Sequence, residues 1–112
     1  MLVVNNNDSF ERSWQYVDAS ETAINVTGAK CSFIIYDSAD DNNVVFACNE
    51  LSFIEVTGAE GLFECIIPAQ YFQIAPGDYM FVCKAVLDPT ATKQIILLEN
   101  DYIYVRQLSE AL

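Results

Sequence analysis

The chain has 112 residues, with 16 Asp plus Glu against 5 Lys plus Arg, a formal net charge of −11, and no His. Such an acid surplus repels phosphate backbones, which are bound by Lys and Arg that neutralise them, so composition argues against nucleic acid as a partner. Without His the chain lacks the commonest general base and metal ligand, and it holds no Ser-His or Cys-His nucleophile pair.

A length near 100 to 150 residues suits one domain, and apolar types at 53% supply a core. An export signal needs a basic stretch and then roughly 7 to 15 apolar residues. Here Met1 to Val4 runs at once into Asn5-Asn6-Asn7-Asp8. The longest uncharged stretch, residues 65–77, is interrupted by Pro68, Gln70, Gln73 and Pro76 and falls short of the roughly 18 apolar residues of a membrane helix. The sequence therefore predicts a soluble, acidic globular domain with no export signal, no membrane span, no metal and no cofactor.

Residues 1–7 read as an N-terminal arm in which Leu2, Val3 and Val4 can add as a strand to a neighbouring subunit beyond an Asn spacer. The competing reading is an extra first strand of the chain's own sheet. Short runs of Val, Ile, Phe, Tyr and Cys then predict strands over residues 9–17, 29–36, 44–48, 51–56, 62–67, 78–87, 92–98 and 101–106. Alternation places Phe33 and Ile35, then Phe63, Cys65 and Ile67, then Tyr79, Phe81, Cys83 and Ala85 on core faces. Turns are expected at residues 27–28, 40–43, 58–61, 75–77, 88–90 and 100–101, where Gly, Pro, Asn and Asp cluster. Residues 68–74 offer one helical turn behind Pro68. In the last strand Tyr102 and Tyr104 face opposite Ile103 and Val105, which reads either as a strand buried on both sides or as an adhesive edge.

Cys31, Cys48, Cys65 and Cys83 are too widely spaced for a zinc knuckle and fall beside Phe or Ile, as buried reduced thiols do. An immunoglobulin-like bridge would pair Cys31 with Cys83, but the accompanying mid-chain Trp is missing, because Trp14 is the only one. Without export, no disulfide is expected. Asp37, Asp40, Asp41 and Asn42 miss the spacing of a calcium loop and read as a solvated hairpin tip. Pairs such as Glu50 with Glu55, or Glu60 with Glu64, arise from acidic composition alone, and the four glycines stand singly, with no phosphate-binding loop.

The residues thus predict a two-layer antiparallel β-sandwich, with a small closed barrel as competitor. Their order adds to this. An aromatic strand from Phe10 to Trp14 precedes the step Ile24-Asn25-Val26-Thr27-Gly28. A strand ending Ile66-Ile67-Pro68 follows, then Ile74-Ala75-Pro76-Gly77-Asp78-Tyr79 leading into a long strand, and a closing hairpin of residues 95–98 and 102–105. Over residues 8–106 this order resembles a family of small immunoglobulin-like domains in tailed-bacteriophage virion proteins, including the N-terminal domain of upper baseplate proteins. Asn25, Ile74 and Asn100 stand where that family commonly has Asp, Leu and Gly.

The resemblance implies an all-β, single-domain, antiparallel immunoglobulin-like β-sandwich of seven to nine strands over residues 8–107, with residues 108–112 as a C-terminal tail. It also implies a non-enzymatic virion structural protein, serving as decoration, neck or baseplate adaptor. The expected partners are other virion proteins, with copies of the chain itself among them. Leu2, Val3, Val4, Tyr102 and Tyr104 are the candidate interface. Any projecting fibre is expected to be another polypeptide. The alternative from charge alone is an acidic inhibitor mimicking DNA, which would array its carboxylates on one face, whereas the sequence spreads them over loops and outward strand positions.

Overall fold

The structure is a computed structural model that describes residues 1–6, 8–40, 43–87 and 94–107. The described residues form eight strands in two facing sheets. These are β1 (Leu2–Asn5), β2 (Phe10–Gln15), β3 (Lys30–Asp37), β4 (Val44–Asn49), β5 (Ile54–Thr57), β6 (Leu62–Ile67), β7 (Gly77–Leu87) and β8 (Gln94–Arg106). One sheet has the order β1-β8-β7-β3-β4 and the other β2-β6-β5. All pairings are antiparallel except β1 beside β8. The chain is an all-β sandwich, as expected. Strands β2, β6 and β5 take the places of B, E and D in an immunoglobulin sandwich, and β8, β7, β3 and β4 those of G, F, C and C′.

Period-two alternation decides which side chains meet between the sheets. Phe33, Ile35, Phe63, Cys65, Ile67, Phe81, Cys83 and Ala85 are all fully buried. Phe33 lies at the centre, its ring 5.2 Å from Phe10, 5.7 Å from Phe81 and 6.2 Å from Trp14. Trp14 and Phe33 thus occupy the inter-sheet space that a Cys pair and a Trp fill in antibody domains. Tyr79 is only half-buried, because its hydroxyl reaches back to donate to the Ala75 carbonyl at 2.7 Å. That link resembles the tyrosine corner of immunoglobulin-like folds, although Tyr79 stands four residues ahead of Cys83 rather than two. The helical turn expected after Pro68 is a 3₁₀ turn, Ala69–Tyr71, which leads to the buried Phe72.

The structure corrects three expectations. The segment set apart as an arm supplies β1 to the chain's own sheet, with Leu2 beside Ile103 and Val4 beside Val105. The closing hairpin does not exist: residues 95–98 and 102–105 belong to one strand, in which Asn100 and Asp101 lie opposite Val82 and Phe81. The ladder with β7 overrides the turn preference of Asn-Asp. Leu98 is the extra residue of a bulge, since Cys83 pairs with Glu99 and Lys84 with Leu97. Residues 51–53 form a turn, held by the Asn49 side chain accepting the Leu51 amide at 2.9 Å, and the strand starts only at Ile54. The turn at residues 88–90, the start of the strand over residues 92–98, the hairpin tip at Asp41 and Asn42, Asn7 and the tail 108–112 lie outside the described residues.

Candidate interaction surface

Most outward positions of the five-stranded sheet are apolar, in rows that run across the strands. Val3 lies beside Tyr104, and Tyr102 beside Met80, Tyr36 and Val44. The next row is Asn100, Val82, Ile34 and Ala47, then Leu97, Lys84, Ser32 and Asn49, then Ile95, Val86 and Lys30. Ile95, Leu97 and Tyr102 are 68%, 61% and 57% exposed. Ile34, Tyr36, Met80, Val82 and Val86 are half-buried. Monomeric domains seldom leave an apolar patch of more than a few hundred Å² uncovered unless it serves as a contact surface.

Of the five expected interface residues, Val3, Tyr102 and Tyr104 come together here. Leu2 and Val4 point inward and pack against the core. The last strand is neither buried on both sides nor an edge: Tyr102 and Tyr104 are exposed, and β1 and β7 flank β8. Sequence reasoning missed Ile34, Tyr36, Met80, Val82, Val86, Ile95 and Leu97. The signal was present, because Ile34 in β3 and Met80, Val82 and Val86 in β7 are large apolar residues on the face opposite the core set.

Charge divides between the two outer faces. The apolar face carries Lys30, Lys84 and Arg106 with Asp78 as its single acid among the described strand positions. Lys30 lies 3.9 Å from Glu50. The outer face of the three-stranded sheet presents Glu11, Glu64 and Glu55, with Glu55 directly opposite Glu64 and Glu11 opposite Ile66. The carboxylates are therefore less scattered than the sequence suggested, although Asp8, Asp18, Glu21, Asp40 and Glu60 do lie outside the strands.

Between the sheets, Arg12 of β2 makes a two-pronged ion pair with Glu99 of β8, and the Trp14 indole donates to the same carboxylate at 2.8 Å. The hydrogen bonds from Arg12 and Trp14 hold the Glu99 carboxyl below its usual range despite partial burial. The four cysteines are free and buried. Cys31 and Cys83 belong to the same sheet, two residues out of register, with sulfurs 3.8 Å apart, so they are not the bridge between sheets of an antibody domain. Hydrogen bonding to Cys31 and burial push the Cys83 thiol far up, and Cys48 and burial do the same for Cys65. No group of three or more Cys, Asp or Glu among the described residues is arranged to hold a metal ion. Two depressions of about 310 and 390 Å³ run along β5 and share Glu50, Ile54 and Glu55; they are open troughs beside an edge strand.

Fold and surface together define an immunoglobulin-like sandwich with one apolar, weakly cationic sheet face and one acidic face. No protein-family model matches the chain, and no curated protein matches it.

Proposed function

We propose that the chain is a non-enzymatic structural component of a tailed-bacteriophage particle, a decoration, neck or baseplate adaptor protein that joins other virion proteins. The observation that carries the binding role is the open apolar face of the five-stranded sheet, with Tyr102, Met80, Tyr36, Ile34, Val82 and Leu97 in adjoining rows. Leaving such a face exposed is unfavourable for a domain that acts alone, and covering it is favourable at about 25 cal/mol per Å². The virion setting rests on the resemblance in the order of motifs from Phe10 to Tyr79; the closing hairpin that completed that order is replaced by the single strand β8. Mass spectrometry of purified particles carrying this gene tests it: the protein is expected at a stoichiometric copy number, and its absence would overturn the virion role.

The clustering of Glu11, Glu55 and Glu64 favours one second reading, an acidic inhibitor that docks on a basic host protein. Under that reading, reversing Glu55 and Glu64 to Lys abolishes function while Leu97→Lys leaves it intact. The virion reading expects Leu97→Lys to prevent incorporation.

A further inference from the structure

We infer that the surface covering the five-stranded face is the acidic three-stranded face of a second copy of this chain, so that copies stack front to back. This deepens the proposed assembly role and rests on it only in taking that face to bind protein.

Three observations carry the inference. Glu55 and Glu64 are direct cross-strand partners on one outer face, where like charges destabilise a sheet, and neither has an ion-pair partner among the described residues. Lys84 stands in the apolar face between Ser32 and Leu97 and likewise has no ion pair among the described residues. Front-to-back contact brings this lysine towards the two carboxylates and lays Leu62 and Ile66, the apolar outward residues of β6, on the Leu97 and Val82 rows. Symmetric contact of two apolar faces would instead set Lys84 and Arg106 of each copy near those of the other and leave the glutamates as they are. In a chain of net charge −11, any self-association works against overall repulsion. Only the front-to-back arrangement sets the cationic face of one molecule against the acidic face of the next.

The area makes a single contact weak. The smaller face limits the contact: three strands at about 4.8 Å spacing and some six residues of length give on the order of 300 Å², well below the roughly 800 Å² per partner of a stable complex. A contact between two different faces also propagates, closing as a ring or continuing as a filament. Weak contacts repeated in this way suit a component of a many-copy assembly.

Sedimentation velocity of the whole chain over a wide concentration range tests this. The expected result is growth past the dimer that recedes in about 0.5 M salt, where charge attraction is screened. Lys84→Glu and the double variant Glu55→Lys, Glu64→Lys should each weaken association by about tenfold or more. Mixing the two variants should restore growth, because each then meets a complementary face; circular dichroism and melting temperature establish that both are folded. A species that stops at the dimer and ignores Glu55→Lys, Glu64→Lys would overturn the stack in favour of a symmetric pair. A monomer at every concentration would also overturn it, while leaving the virion proposal to be decided by particle composition.

Discussion

Arg12, Trp14 and Glu99 make a partly buried polar contact that ties one sheet to the other at the margin of the apolar interior. Glu99 accepts from both β2 side chains, so its charged form is favoured in the fold. A carboxyl whose pKa is lowered by folding adds stability that is complete above its unfolded value, near pH 4 to 5, and is lost as pH falls through the lower folded value. Urea unfolding between about pH 2 and 7 should show the native chain more stable than Glu99→Gln by roughly 1–3 kcal/mol at neutral pH. The two should converge in acid. Some acid sensitivity should persist in the variant, because Asp101 is also held low by the Tyr102 amide and the terminal ammonium. Gly61 is another exacting position. It closes the turn after Gly58–Glu60 with φ +62°, and an added Cβ would lie 2.5 Å from the Ile24 carbonyl oxygen and 2.7 Å from that of Tyr16. Gly61→Ala should cost about 2–3 kcal/mol, read as a fall in melting temperature.

Among the strands, β1 and β8 show what local pattern can and cannot reveal. The core faces of β3, β6 and β7 were legible because alternation depends only on neighbours in sequence. The pairing of Leu2–Asn5 with residues 103–106 was not, since it joins the two ends of the chain and leaves no local trace. Asn100 and Asp101 misled for the same reason: their turn chemistry is local, whereas the partner that keeps them extended is β7. Deleting residues 1–5 now has a definite expectation. Leu2 and Val4 cover the flank of Ile103 and Val105, so their loss should cost about 2–3 kcal/mol and lower the melting temperature by on the order of 10 °C. An unchanged melting temperature would restore the free-arm reading.

Across the whole molecule, the sequence indicated a sandwich and suggested Tyr102 and Tyr104 as contact residues, but the apolar neighbours around them were hidden. Ile34 and Val82 lie far apart in the chain and become one row only when β3 and β7 pair. The separation of charge was hidden likewise, because Lys84 and Glu64 alternate with buried neighbours in strands of opposite sheets. The proposed binding surface is the outer face of the five-stranded sheet. Hydroxyl-radical footprinting, read by mass spectrometry on the free protein and on the protein within purified particles, tests whether that face is covered. Met80, Tyr102 and Leu97 should be readily oxidised in the free chain and several-fold protected in the particle, while the exposed Leu51 and Tyr71, away from that face, keep more of their reactivity. Equal oxidation of Met80, Tyr102 and Leu97 in both states would contradict the account.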